Sequence, residues 1–328
     1  PTRYAVAAAP ARAGVMRVGF IGAGNFAQTY LLPHLKRHRD VELVGVCNAT
    51  GPSAKRVAAR FRFQYCTTSA EEILNDANVN TVFIATRHDL HAPLVQAALE
   101  RKKNVFVEKP LAIRQEDLTR LVEAYQAHPL PVLVGFNRRF APAVQRLKEF
   151  FANVAPLAII YRVHAGALPH NHWIYDPEQG GGRILGEVCH FIDLARALAA
   201  APLVSVYAES PAARDNVQIS LRFANDSLAT ISYLASGDPS TAKEYLEVFG
   251  GEQTAILENF HTLRLYRQGK QTRVRTHGKG HREELLHFVD CLRTGQPLAL
   301  AFADAVASTE ATFATLESLR QGKPIALS

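Results

Sequence analysis

The 328-residue sequence has no apolar run near the ~20 residues that a membrane-spanning helix requires; its longest, such as LVSVY and VFIA, are of strand length. That excludes helical spanning and leaves no membrane partner. Cysteine is scarce: Cys47, Cys66, Cys189 and Cys291 form no C-x-x-C pair, and three sit inside apolar segments. A disulfide scaffold and a thiolate metal site are excluded, and a reduced, cytoplasmic setting is expected. Met16 is the only methionine and stands just before a strand-like run, so residues 1–15 (PTRYAVAAAPARAGV) read as a leader, a linker or the remnant of a longer chain. They lack the apolar core of a secretory signal. Acid is the minority charge, with 30 Asp and Glu against 37 Lys and Arg, a net +7 that favours an anionic ligand. The basic groups, KRHR at 36–39, RKK at 101–103 and Arg273, Arg275, Lys279 and Arg282, do not alternate with aromatics as a stacking platform for nucleic acid would, so no nucleic-acid partner is expected.

What is present is a globular composition, 48% hydrophobic and 20% charged, over a length that suits two cores. Residues 16–136 alternate strand-like and helical patterns. VGFIG, ELVGVC, TVFIAT, NVFVE and PVLVGF are continuous apolar runs, as expected of strands covered on both faces, and helical stretches such as PSAKRVAARF and HAPLVQAALERK separate them. This alternation predicts an N-terminal Rossmann-type domain, a doubly wound parallel sheet. From about residue 157 the pattern changes: LAIIYRVHAG, LVSVYAES, NVQISLRFA, SLATISYLA and KEYLEVFGG are separated by turns rather than helices. Residues 137–328 are therefore expected to form an α/β domain with a large, mainly antiparallel sheet, closed by helices at EELLHFVDCLR and ADAVASTEATFATLESLRQ.

The first strand runs into GFIGAGNFA, with Gly22, Gly24 and Ala27 in a G-x-G-x-x-A pattern at a strand-to-helix turn. Glycine there permits the tight turn and lets backbone approach a pyrophosphate, whose charge the helix start favours; Asn25 and Phe26 complete the turn. The second strand ends in VCNATGPSAKR, so Asn48 stands where an aspartate usually accepts bonds from the ribose hydroxyls, followed by Thr50, Ser53, Lys55 and Arg56. Loss of the carboxylate removes its repulsion of a 2′-phosphate, which tips the expected NAD(P)(H) cofactor toward NADP.

GFIGAGNFA, IATRHDLHAPLVQAAL, VFVEKPLA, GFNRRFAP and HWIYDPEQGGGRILGEVCHFID together resemble the Gfo/Idh/MocA family of NAD(P)-dependent sugar and cyclitol oxidoreductases, from about residue 16 to the C-terminus. More narrowly, GFNRRFAP and the glycine-rich segment are similar to the C-terminal module of bacterial two-domain proteins, which would place a zinc alcohol dehydrogenase-like domain upstream. The resemblance implies that Lys109, in the EKP of Glu108, Lys109 and Pro110, reaches the substrate hydroxyl and the nicotinamide, and that the Lys-Pro bond is often cis. It makes His190 the catalytic histidine and Asp193 its helix aspartate. Thr86, Arg87, His91, Glu108 and Lys109 are expected to contact the cofactor; Arg87 stands where relatives often have Pro or Asn, and with Arg138 and Arg183 it is expected to contact an anionic group or else to pair with a surface acid. Physically, an ammonium can stabilise charge on a hydroxyl oxygen as its carbon loses hydride, and a neutral imidazole can take the proton.

The sequence departs from the family pattern just before His190. An acid is common one full turn earlier; here that position is Gly186, and the carboxylate is Glu187. Glu187, His190 and Asp193 recur at intervals of three, about 60° apart around an α-helix, so they share one flank, and Glu187 is expected to take over the orienting role. Arg138, His172, Trp173 and Arg183 are expected to contact substrate, with Trp173, the only tryptophan, offering a flat face to a sugar ring. His164, His170 and His172 lack acid or cysteine at ligand spacing, so no metal is expected. The expected activity is hydride transfer between NAD(P) and a hydroxyl carbon of a sugar, including a nucleotide-sugar, by a homodimer or homotetramer. An NAD-dependent glycosidase and a silent dinucleotide-binding regulator are the alternatives.

Overall fold

The computed structural model describes residues 3–5, 14–211, 215–238 and 240–327. The chain divides into two compact units, the first comprising residues up to Gly135 together with His281–Val306, the second Phe136–Gly280 and Ala307 onward. The single change-over expected near residue 136 is thus joined by two later ones. The physical reason is the apolar stripe of the helix after residue 280. Phe288 is fully buried there, with its ring centroid 6.0 Å from Phe83 and 6.1 Å from Phe106, two strand residues of the first unit.

In the first unit the strands are β1 (Arg3–Ala5), β2 (Met16–Ile21), β3 (Val41–Cys47), β4 (Tyr65–Thr67), β5 (Thr81–Ile84), β6 (Asn104–Val107) and β7 (Val132–Val134). They form one sheet in the order β1-β4-β3-β2-β5-β6-β7. All neighbours are parallel except β1 and β4. The expected leader therefore supplies an antiparallel edge strand at Arg3–Ala5, and residues 6–13 lie outside the described residues. The helices are a five-residue π turn (Ala27–Leu31) leading into α1 (Leu32–Leu35), then α2 (Gly51–Phe61), α3 (Ala70–Leu74), α4 (His91–Glu100) and α5 (Gln115–Ala127). β5, β6 and β7 are buried along their length apart from Asn104, which accounts for their unbroken apolar sequence.

The second unit begins with α6 (Pro142–Phe150), β8 (Ala158–His164), a π turn (Ile184–Val188) and α7 (Cys189–Ala199). β9 (Leu203–Glu209), β10 (Val217–Phe223), β11 (Leu228–Leu234), β12 (Glu244–Gly250), β13 (Gln253–Glu258), β14 (Thr262–Arg267) and β15 (Lys270–Arg275) follow. α8 (His281–Thr294) belongs to the first unit, α9 (Phe302–Gln321) runs from one to the other, and β16 (Ile325–Ala326) ends the chain. Nine strands form the sheet β15-β14-β13-β12-β8-β11-β10-β9-β16, in which only β8 and β11 run parallel. Strict alternation in β10, buried at Val217, Ile219, Leu221 and Phe223, turns one face to a core that includes Phe191, Ile192 and Leu194 of α7.

Candidate functional site

The order β3-β2-β5 puts the next strand in sequence on one side of β2 and the crossover strand on the other, so the sheet's switch point lies beyond the ends of β2 and β5. Gly22 occupies that point with φ +88°, and a Cβ there would lie 2.7 Å from the Ala85 carbonyl and 2.8 Å from the Thr86 methyl. Only glycine satisfies both the positive φ and this closeness. On Gly24 a Cβ would meet nothing within 4 Å. The turn therefore has one face packed on the β5 loop and one face open; Gly24, Asn25 and Phe26 are exposed, while Ala27 is buried inside the helix start. The open face fits a dinucleotide pyrophosphate, and Gly22, Gly24, Asn25 and Phe26 would hold it.

Asn48 follows the end of β3, with its side chain bonded to the glycine turn and to Ser53. Its Oδ1 accepts from the Ala23 N–H at 2.7 Å, and its Nδ2 donates to Ser53 Oγ at 3.0 Å and to the Ala23 carbonyl at 3.4 Å. The carboxamide is directed at the turn and is itself buried. Thr50 is exposed as the residue preceding α2, with its side chain making no capping bond. After β5, the Thr86 hydroxyl donates to the Arg87 carbonyl at 3.0 Å, and Arg87 is exposed.

At the end of β6, Glu108 is buried, Lys109 is half-buried, and the Lys109–Pro110 bond is cis. The Glu108 carboxyl fills the space beside Gly135, where a Cβ would lie 3.0 Å from both its oxygens. Burial raises its pKa to about 7 against the opposing pull of Lys109. The glutamate thus packs against the backbone that follows β7. His91, at the start of α4, is fully buried, and its Nδ1 lies 2.7 Å from the Pro110 carbonyl. Burial lowers its pKa to about 4, so the neutral ring donates from Nδ1 and ties the turn after Lys109 to α4. Sequence reasoning placed His91 among the cofactor contacts and did not foresee this tie, because its partner is a backbone atom on another strand end.

In the second unit His190 stands in the first turn of α7, buried, with its ring at 6.0 Å and 76° to that of Phe136. The flank read from the sequence is divided among different partners. Asp193 accepts two bonds from Arg139, at 2.9 and 2.5 Å, and one from Ser308 at 3.0 Å. The Asp193 side chain is almost fully buried, and the Arg139 guanidinium compensates its charge there. Glu187 lies in the π turn, where Arg183 donates at 3.2 and 3.3 Å and the Tyr233 hydroxyl at 2.7 Å. Tyr233 was not foreseen, although its place on the inward face of SLATISYL, beside Ile231, is a signal that a buried hydroxyl needs an acceptor.

The residues expected at the substrate have internal partners too. Arg183 donates a further bond to the Gly166 carbonyl at 2.6 Å, and its side chain is only 2% exposed. Arg138 forms a two-pronged pair with Glu244, both bonds at 2.9 Å, and Glu244 also accepts from Tyr161 and Lys279 at 2.5 Å each. Burial opposes the Glu244 charge, but Arg138 and then Lys279 hold its carboxyl well below the usual carboxylate range. This cluster accounts for Arg138 without substrate. His172 accepts from the Ile174 N–H at 3.3 Å and caps the short turn that carries Trp173, whose ring lies 5.8 Å from its own. Among the described residues no three His, Cys, Asp or Glu are grouped to hold a metal ion, and no helix is long and apolar enough to cross a membrane.

Residues 16–136 match the family described as GFO_IDH_MocA, "Oxidoreductase family, NAD-binding Rossmann fold", and residues 155–256 match the "GFO/IDH/MocA C-terminal domain". The chain is 28% identical to inositol 2-dehydrogenase of Acidothermus cellulolyticus over 95% of its own length and 94% of the relative's. It is 24% identical to myo-inositol 2-dehydrogenase of Thermotoga maritima over 95% and 98%. A solved levoglucosan dehydrogenase, in complex with NADH and levoglucosan, shares the fold with a TM-score of 0.84 at 22% identity, covering 95% of this chain and 99% of the other. These relatives match over nearly their whole lengths, so the expected likeness to one module of a longer protein, with an upstream zinc alcohol dehydrogenase-like domain, has no support among them.

Proposed function

Because the chain belongs to the Gfo/Idh/MocA family of NAD-binding oxidoreductases, we propose that it oxidises a CH–OH carbon of a cyclic polyol or sugar with NAD, or reduces the corresponding ketone with NADH. The observation that carries this reading is the first unit's geometry. The dinucleotide turn is fixed at the switch point between β2 and β5, and Lys109 stands at the end of β6, the strand next to β5. NAD, held by the turn at Gly22, Gly24, Asn25 and Phe26, would supply the hydride acceptor. Lys109 stabilises the negative charge on the substrate oxygen as the C–H bond breaks, and His190 takes the hydroxyl proton and returns it in the reverse direction. Glu187, paired with Arg183 and bonded by the Tyr233 hydroxyl, is the acid that this sequence places three positions before the histidine.

NAD is preferred to NADP because Asn48 is occupied with Ala23 and Ser53, so its lack of charge no longer argues for a 2′-phosphate. The levoglucosan dehydrogenase complex, which contains NADH, supports the same choice. Relatives named for inositol and levoglucosan support a small ring substrate, and none of them supports a nucleotide-sugar. Four free, buried cysteines support a cytoplasmic setting, and the open face of the nine-stranded sheet supports a homo-oligomer.

The test is reduced-nicotinamide absorbance with NAD and a panel of inositols, aldoses and anhydrosugars, on the wild type and on Lys109→Met and His190→Asn. Expected is net NADH formation with at least one substrate, and a kcat lower by roughly 10²–10³ in each variant while NADH still binds. Bond cleavage without net NADH would replace the reading with the glycosidase chemistry, and NADH binding without any turnover would replace it with the silent regulator.

A further inference from the structure

The acid that usually ends the second strand of a dinucleotide-binding sheet accepts bonds from the adenosine ribose. Asn48 holds that position, yet its side chain is directed at the backbone of Ala23, the residue between Gly22 and Gly24. Ala23 is fully buried, so its N–H and carbonyl must find partners inside the protein. Asn48 meets both: Oδ1 accepts the N–H at 2.7 Å and Nδ2 reaches the carbonyl at 3.4 Å, where Gln28 Nε2 also donates at 3.0 Å, with Ser53 Oγ taking Nδ2 at 3.0 Å. The turn is also tied by Gly22 N–H to the Cys47 carbonyl at 2.9 Å and by Gly24 N–H to the Gly22 carbonyl at 2.8 Å. Both N–H bonds of the carboxamide and one oxygen lone pair are thereby committed within the protein.

This requirement explains the amide. An aspartate could accept from the Ala23 N–H and from the Ser53 hydroxyl, but it would set its charge against the Ala23 carbonyl oxygen, to which the amide instead donates. Building on the dinucleotide reading above, we infer that Asn48 is a positioning residue that holds the Gly22–Gly24 turn in its phosphate-binding shape, and that the ribose 2′ substituent is not read at this residue.

The inference gives Asn48→Asp an unusual sign. A ribose reader converted to aspartate gains an acceptor for the hydroxyls and binds NADH more tightly while expelling NADPH. A brace converted to aspartate loses its donors, and the turn loosens. The experiment is fluorescence titration of NADH and of NADPH against wild type, Asn48→Asp, Asn48→Ala and Ser53→Ala, with no substrate present. Expected is about tenfold weaker NADH binding in Asn48→Asp, equivalent to about 1.4 kcal/mol. Asn48→Ala should weaken NADH and NADPH by similar factors, leaving their ratio within about threefold of wild type. Ser53→Ala, which keeps both bonds to Ala23, should weaken both by no more than about threefold. Unchanged or tighter NADH binding in Asn48→Asp, or a ratio moved tenfold by Asn48→Ala, would overturn the inference. A wild-type protein that binds neither nucleotide would instead count against the cofactor reading itself.

Discussion

Arg138 and Glu244 show how a residue's chemistry can be read correctly and its purpose missed. An arginine in GFNRRFAP was expected to meet an anion, and it does, but the anion is a buried carboxylate 106 positions away. Removing one partner of such a pair strands the other charge in a site it cannot leave. Arg138→Met is therefore expected to cost about 3–5 kcal/mol of stability in denaturant unfolding, with partial recovery in the double variant Arg138→Met, Glu244→Gln. A substrate-binding arginine would instead raise KM and leave stability nearly unchanged. Asp193 follows the same logic: its partner Arg139 lies 54 positions away, so no local pattern around His190 reveals the guanidinium that pairs with it. The glycines of the turn were legible because their reason is local: a turn, a backbone conformation and a close approach to the next loop.

At the level of elements, the end of β6 and the start of α4 form one coupled device. Glu108 and His91 are both buried beside Lys109, and burial moves their pKa values in opposite directions, to about 7 from 4.5 and to about 4 from 6.5. The raised carboxyl contributes stability that is complete below pH 4.5 and lost as pH rises through 7. The depressed imidazole contributes stability that is complete above pH 6.5 and lost as pH falls through 4. Between pH 4.5 and 6.5 the two slopes oppose each other and the wild type shows little of either. Relative to wild type, Glu108→Gln should leave stability falling on acidification, and His91→Asn should leave it falling as pH is raised. Each change should be about 3 kcal/mol at most, read by urea unfolding across this range. The π turn at Ile184–Val188 is the other element-level departure. Its wider turn departs from the even spacing of an unbroken α-helix at Glu187, whose carboxylate is taken by Arg183 and Tyr233.

At the scale of the molecule, the uncovered face of the nine-stranded sheet carries the remaining prediction. Phe249, Ala158 and Leu228 are register partners across three adjoining strands, with Ile160 two residues along. Leu228 is 54% exposed, Ile160 45% and Phe249 36%, an apolar row on the side opposite the core. Light scattering is expected to give a dimer or tetramer, and Leu228→Arg with Phe249→Arg to reduce it to smaller species with little change in unfolding temperature. A monomeric wild type would refute this. The sequence by itself determined the parallel and antiparallel halves, the phosphate-binding turn and the residue types offered to chemistry, because periodicity and backbone freedom act over a few neighbours. It did not reveal the strands at 253–258, 262–267 and 270–275: the last is a mostly exposed edge strand, and in the first the buried set Gln253, Ala255 and Leu257 begins with a polar residue. Only the tertiary structure decided that α8 returns to the first unit, that Asn48 braces Ala23, and that Asp193, Arg138 and Glu187 have partners of their own. Buried polar groups must be satisfied by whatever the fold brings near, and nothing in the local pattern specifies which distant residue that will be.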